Sequence, residues 1–147
     1  MEKSRIWPAK GGRSQIIDEL LPGRMLSAMF EEFELAAYQA ILVASPTHAG
    51  ALIALGHLYT RIGRHAKALE IDKVLIALYP DDPICRYNFA CSLSNLGHIE
   101  ESLSALSESI KLGYRDFAYM ESDPDLENVR KDPRFRQLAD HWSKSRL

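Results

Sequence analysis

The amino-acid sequence predicts an all-α fold built from helical hairpins that repeat along the chain. Two glycines, Gly63 and Gly97, are separated by the same interval as two prolines, Pro46 and Pro80. Glycine adopts the left-handed conformation that ends a helix, and proline favours the link before the next helix. Between these positions, apolar residues recur at the three- and four-residue spacing of one helix face. The repeated end signals and the helical spacing together predict two hairpins in tandem.

Each predicted repeat consists of a helix, a tight turn, a second helix and a link. Asp82 followed by Pro83 is a helix-start signal, because aspartate caps a helix N-terminus and proline fits the first helical position. The first repeat covers residues 48–81, with helices at 48–61 and 64–79, and the second covers residues 82–115, with helices at 83–95 and 98–112.

The residues before the first repeat predict an irregular N-terminal cap. The stretch FELAAYQAILVASP, residues 33–46, has the pattern of the second helix of a repeat. Pro22 and Gly23 interrupt the helix that would precede it. We therefore predict one long helix at about 24–44, preceded by a short helix at 14–21, and the sequence leaves open whether 24–44 forms one helix or two.

The residues after the second repeat predict a C-terminal cap. Two further start signals, Asp123-Pro124 and Asp132-Pro133, occur there. An apolar stripe that could seal the last repeat follows, formed by Phe135, Leu138 and Trp142. We therefore predict one helical-repeat domain, residues 1–147, made of a flexible start (1–13), an N-terminal cap with a partial repeat (14–47), the two repeats and a C-terminal cap (116–147).

The first repeat resembles the tetratricopeptide repeat family. Its segment LIALGHLY, residues 52–59, matches the family pattern W-x2-L-G-x2-Y with Leu52 in place of the tryptophan. Ala68 and Pro80 fall at the family's later alanine and proline positions. The second repeat departs from the pattern at Arg86, Ala90, Leu93, Ser102 and Tyr114. The resemblance covers about residues 33–140, and the C-terminal segment looks like those that close many bacterial arrays of this family. It implies a right-handed α-α superhelix whose first helices line a concave groove.

Composition and charge exclude several classes of function. The chain has 147 residues, with 18 basic and 20 acidic side chains and a net charge of −2. No basic run is present, so nucleic-acid binding is disfavoured. The longest mostly apolar run, residues 35–44, is about half the length that spans a bilayer. The start of the chain lacks a secretory signal, and the two cysteines, Cys85 and Cys91, form no disulfide framework, so we predict a cytoplasmic protein with reduced thiols.

The resemblance implies a protein or peptide partner, held in the groove by residues of the two inner helices. Helical spacing places four residues of each inner helix on or beside the inward face. These candidate partner-binding residues are Ile53, His57, Thr60 and Arg61 in the first repeat and Tyr87, Asn88, Cys91 and Asn95 in the second. We expect apolar contacts from Ile53 and Tyr87, and polar recognition from Arg61 and the two asparagines.

Two features bear on the identity of that partner. Chaperone-tail receptors of the family clamp a terminal carboxylate with lysine and asparagine, and here Ile53 and His57 stand at those places of the first repeat, although Asn88 matches the second. A receptor for a C-terminal carboxylate is therefore disfavoured, while an acidic peptide stays open because Arg61 could supply a charge. The alternative to a peptide receptor is a self-assembling homo-oligomer, such as a homodimer, whose segment around Trp7 could lie in a neighbour's groove.

Enzymatic chemistry is the third hypothesis. His57 and Cys91 occupy equivalent places on neighbouring helices and could form a base and a nucleophile. The sequence shows no orienting partner or oxyanion site for such a pair, so we predict a protein that is not an enzyme. The five histidines form no close pair on a helix face, and no glycine-rich phosphate loop is present, so we predict no metal and no cofactor.

Asp72 and Arg86 are charged where the family prefers aromatic residues. We expect Asp72 to be solvent-exposed on the outer surface, where isolated charges contribute little to stability. The alternative is a salt bridge or a partner contact on the convex side.

Overall fold

The computed structural model describes residues 23–144, apart from the side chains of residue 139 and residues 141–144. This part of the chain contains eight α-helices and no strand. The helices are α1 (Gly23–Ala44), α2 (Ala49–Arg61), α3 (His65–Leu78), α4 (Pro83–Asn95), α5 (Ile99–Leu112), α6 (Phe117–Ser122), α7 (Glu127–Arg130) and α8 (Pro133–Lys144), with a short 3-10 helix at Pro124–Leu126. The predicted flexible start, the predicted helix at 14–21 and the side chain of Trp142 lie outside the described residues.

The helix boundaries repeat at the interval that the glycines and prolines predict. Helix α4 begins and ends one such interval after α2, and α5 begins and ends one such interval after α3. All four helices begin and end within one residue of the predicted bounds. The predicted long helix is a single helix, α1. The local end signals are therefore sufficient to fix these elements.

Both predicted turn glycines have left-handed backbones. Gly63 has φ of +73° and Gly97 has φ of +77°. At the first turn, Gly63 N–H donates to the carbonyl of Thr60, and Arg64 N–H donates to that of Tyr59, at 3.0 and 2.7 Å. These two bonds form a Schellman motif, which satisfies carbonyls that the helix end leaves free. The same pair of bonds recurs in the second repeat around Gly97.

Helices α2 and α4, which the resemblance predicts to be the inner helices of the two repeats, begin with side-chain caps at equivalent positions. The carboxylate of Asp82 accepts from the backbone N–H groups of Ile84 and Cys85, at 2.8 and 2.9 Å. At the equivalent place of the first repeat, His48 Nδ1 accepts from the N–H of Ala51 at 3.1 Å. The sequence predicts the aspartate cap but not the histidine cap, because histidine is not a preferred N-cap residue.

The core runs along the chain from helix to helix. Helix α1 packs on α2, α2 on α3, α3 on α4, and α4 on α5. The C-terminal cap then covers α4 and α5, and Leu126 and Val129 of the cap are fully buried. Phe135 of α8 is also buried, so the predicted sealing stripe contributes to this core. The cap brings its side chains against the inner helix of the second repeat.

The expectation for Asp72 is wrong. Its side chain is 5% exposed, and its carboxylate accepts a hydrogen bond from Ser92 Oγ of α4 at 2.5 Å. Gly56 of α2 lies beside it, because a β-carbon there would come within 3.8 Å of the Asp72 carboxylate. Helix α3 thus places the Asp72 carboxyl group between α2 and α4, where the Ser92 hydroxyl replaces water as its hydrogen-bond partner.

Arg86 is half-buried and has a charged neighbour across the helix pair α4–α5. The pKa of Glu108 is lowered, first by the hydrogen bond and charge of Lys111 and to a smaller extent by the charge of Arg86. Arg86 therefore lies close enough to the Lys111–Glu108 ion pair for its charge to act on Glu108.

Candidate functional site

The two inner helices and the C-terminal cap enclose a groove of about 790 Å³. Seven of the eight predicted partner-binding residues line it, and Asn95 is the exception. The lining from the helical repeats is Ile53, Gly56, His57, Thr60 and Arg61 of α2, Asp72 of α3, and Asp82, Ile84, Cys85, Tyr87, Asn88, Cys91 and Ser92 at α4. The end of the second repeat adds Tyr114, and the cap adds Asp116, Tyr119, Asp123 and Asp125; the sequence analysis did not assign these residues to the groove.

Part of the lining is open to a ligand. Ile53 is 39% exposed, His57 is exposed and Asn88 is half-buried. Among the described residues, neither the His57 ring nor the Asn88 amide makes a side-chain hydrogen bond, whereas Thr60 Oγ1 donates to the carbonyl of Gly56 at 3.2 Å. One wall of the groove therefore presents an apolar side chain and two unused polar groups.

Arg61 is already ion-paired. Its guanidinium donates to the carboxylate of Glu34, which belongs to the neighbouring helix α1. Both side chains are partly exposed, so the pair contributes little to stability. It nevertheless neutralises the positive charge that the sequence analysis assigned to partner recognition.

Tyr87 lines the groove but is almost fully buried, so it offers a ligand little surface. The residue is 4% exposed, and its ring stacks on Tyr114 with centroids 4.3 Å apart. Its hydroxyl donates to Asp123 Oδ2 at 2.7 Å. Burial is the main reason why the pKa of Tyr87 is raised. Tyr87 therefore joins α4 to the cap rather than to a partner.

Asp123 is the residue of the cap that organises this contact. It is 3% exposed, and its second oxygen accepts from the N–H of Asp125 at 2.9 Å, so it is also the predicted helix cap. Cys91 Sγ donates to Asp123 Oδ2 at 3.7 Å. Asn95 donates to Asp125 Oδ1 at 3.0 Å. Three of the four predicted partner-binding side chains on α4 (Tyr87, Cys91 and Asn95) thus donate hydrogen bonds to the cap residues Asp123 and Asp125.

The thiol of Cys91 is poorly suited to nucleophilic chemistry. Its pKa is raised well above 9, first by burial and then by the negative charge of Asp123. A catalytic thiol needs the opposite shift, because the thiolate is the reactive form. Within residues 23–144, no hydrogen bond connects Cys91 to His57, and no group of three or more His, Cys, Asp or Glu side chains could hold a metal ion.

No helix in the described part of the chain is both long enough and apolar enough to cross a membrane.

No known protein-family profile matches the chain. The chain is similar to an Arabidopsis thaliana protein whose name describes it as chloroplastic, with 36% identity over 93 residues. The similar stretch covers 61% of this chain and 28% of that relative. The chain thus spans less than a third of the length of the relative that it matches.

Proposed function

We propose that this protein is a tetratricopeptide-like module that binds a segment of another protein in the groove between α2, α4 and the C-terminal cap. The observation that carries the proposal is the open wall of the groove. There, the His57 and Asn88 side chains make no hydrogen bond to any other described residue, and Ile53 is exposed. All three residues line the groove of about 790 Å³. A space of this size with few, separated polar groups suits a polypeptide segment.

The regular spacing of the helices supports the proposed family. The two hairpins have helix bounds that repeat at a constant interval of about 34 residues, and a left-handed glycine turns each hairpin; tetratricopeptide repeats have this length and turn chemistry. In this proposal, the hairpins stack as a right-handed α-α superhelix, with α2 and α4 inside. The cap then closes the array and supplies the far wall of the groove.

The free polar groups define how a segment would be held. The Asn88 amide can donate to a backbone carbonyl and accept from a backbone N–H, which is the pairing that an extended chain offers. His57 can contribute a second hydrogen bond, and Ile53 an apolar contact. The α4 residues that bind the cap (Tyr87, Cys91 and Asn95) fix the shape of the groove and do not contact the ligand.

The test is affinity capture with a bait variant in which the three side chains of the open wall are truncated. Ile53→Ala, His57→Ala and Asn88→Ala together delete the three free side chains and disturb no hydrogen bond of the described structure. We expect a partner retained by the wild-type protein to be lost by this variant. The matched control is Val74→Ala, His98→Ala and Gln137→Ala, at positions outside the groove lining. Loss of the partner by both variants, or by neither, would contradict the proposal.

A second candidate function, self-assembly, is favoured by the surface of α1. Met25, Met29, Phe30 and Phe33 are each more than half exposed and recur at helical spacing along one side of the helix. Such a face could pair with a second copy of the chain. Sedimentation of the capture bait over a wide range of concentrations separates the candidates, since the receptor hypothesis predicts a monomer and self-assembly predicts growth with concentration.

Two further parts of the proposal follow from the same contacts. The raised pKa of the Cys91 thiol supports a function without catalysis. Cys85 and Cys91 are both free and buried, which is compatible with a reducing compartment such as the cytoplasm. The name of the Arabidopsis relative assigns that protein to the chloroplast.

A further inference from the structure

The lining of the groove is strongly acidic, although the whole chain has a net charge of only −2. Five aspartates line it, and the repeats and the cap both contribute to them: Asp72, Asp82, Asp116, Asp123 and Asp125. The lining contains one arginine, Arg61, and no lysine. The lining therefore carries five carboxyl groups and one guanidinium, although the carboxyl groups of Asp72 and Asp123 are buried.

None of these five carboxyl groups lies within salt-bridge distance of a described basic side chain of residues 23–144. The salt bridges of residues 23–144 use other acids, and none of the five groove aspartates takes part in one. The arginine of the groove, Arg61, is itself paired with Glu34. Asp82 and Asp116 are exposed, and Asp125 is half-buried, so three of the five can contact a ligand.

The raised pKa of the Tyr119 hydroxyl is consistent with a negative electrostatic potential in the groove. Tyr119 is 51% exposed, and its pKa is raised, first by the negative charge of Asp123, then by burial, and further by Asp125 and Asp116. Its ring lies 6.3 Å from that of Tyr87, which is stacked on Tyr114. A partly open aromatic ring beside carboxylates is a favourable site for an ammonium or guanidinium group.

We propose that the groove binds a lysine- or arginine-bearing extended segment of a partner protein, with Asp82, Asp116 and Asp125 as the contacts for its cationic side chains. This inference rests on the proposed function, and it replaces the acidic peptide that the sequence leaves open. Charge complementarity argues for it, because a basic segment would supply partners for carboxylates that form no salt bridge among the described residues, and an acidic one would face repulsion. Ile53, His57 and Asn88 on the opposite wall would contact its backbone and apolar side chains.

The test measures binding of three labelled peptides by fluorescence anisotropy. Each peptide has about ten residues and alternates threonine with lysine, glutamine or glutamate, so that only the charge differs. The groove variant is Asp82→Asn, Asp116→Asn and Asp125→Asn. Asparagine caps a helix as well as aspartate does, and its amide oxygen can accept the same hydrogen bonds, so the fold is retained. The matched control, Glu70→Gln, Glu101→Gln and Glu108→Gln, removes three charges from α3 and α5.

We expect the lysine peptide to bind the wild-type protein and the control, and to bind the groove variant about tenfold more weakly or worse. Equal loss in both charge variants would mean non-specific attraction and would overturn the inference. Binding of the glutamine or glutamate peptide that is lost in the Ile53→Ala, His57→Ala, Asn88→Ala variant would overturn the charge inference and leave the proposed function standing. Absence of groove-dependent binding by any peptide would contradict both.

One further arm examines the chain's own N-terminal segment, which carries Lys3, Arg5, Lys10 and Arg13. The full-length variant in which these four residues are glutamine should bind the lysine peptide as the wild type does. If the peptide binds only to this variant, the natural occupant is the protein's own basic segment, and the inference of an external partner is overturned.

Discussion

At the scale of single residues, Asp72 shows how a small neighbour and a hydroxyl can bury a charge. Gly56 leaves room beside its carboxyl group, and Ser92 donates the hydrogen bond that water would otherwise make. Burial raises the pKa of Asp72 to about 6, against a smaller opposing effect of the Ser92 hydrogen bond. The charged form is therefore disfavoured in the folded protein, because desolvation outweighs a single hydrogen bond.

This shift makes a pH-dependent contribution to stability. The pKa of Asp72 is about 6 in the folded state and near 4 in the unfolded chain, so the folded protein binds the additional proton between these values. The free energy of unfolding should therefore decrease as the pH rises from about 4 to about 6, and stay low above it. We expect Asp72→Asn to be more stable than the wild type by on the order of 1–3 kcal/mol at pH 8, and by only about a third of that amount at pH 4.5. Urea unfolding at the two pH values measures this.

The control for Asp72→Asn is Asp81→Asn, which changes an exposed carboxylate at the link between the repeats. It should leave the pH profile of stability unchanged. An Asp72→Asn variant that is destabilised equally at both pH values would contradict the account, since the carboxyl group would then act only as a hydrogen-bond acceptor for Ser92.

At the scale of secondary-structure elements, the two turn glycines make equivalent contributions. A β-carbon at Gly63 or Gly97 would meet no atom within 4 Å, so the penalty for alanine comes from the left-handed backbone alone. We expect Gly63→Ala and Gly97→Ala each to lower the free energy of unfolding by about 1–2 kcal/mol. Gly23→Ala is the control, because Gly23 does not have a positive φ and should tolerate alanine without loss. Thermal or urea unfolding measures these losses. Clearly different losses in free energy of unfolding for Gly63→Ala and Gly97→Ala would contradict the claim that the two turns contribute equally.

The helices could be predicted because their signals are local. Gly63, Gly97 and the Asp82-Pro83 pair act within one turn of chain, and the observed ends of α2 to α5 follow them closely. The groove could be predicted only in part, because its second half depends on contacts distant in sequence. Tyr87 and Asp123 lie on different elements, and nothing near Tyr87 indicates that a cap aspartate will bind its hydroxyl. The predicted exposure of Asp72 is wrong for the same reason, since its hydrogen-bond partner Ser92 lies on another helix.

At the scale of the whole molecule, the C-terminal cap has two roles. It buries Leu126 and Val129 against the last hairpin, and it turns the aspartates 116, 123 and 125 toward the inner helices. The result is a groove with free side chains on α2 and α4 and with aspartates that come from the start of α4 and from the cap. A short array gains its binding surface in this account from the element that also completes its core.

The measurement that tests this account most directly is the mapping of backbone amide shifts of the isotope-labelled protein during titration with the lysine peptide. The account predicts that the shifted amides lie on α2, on α4 and on residues 114–125, from the end of the second repeat into the cap. Shifts concentrated instead on the Met25–Phe33 face of α1, or on the outer helices α3 and α5, would contradict the claim that the groove is the binding site.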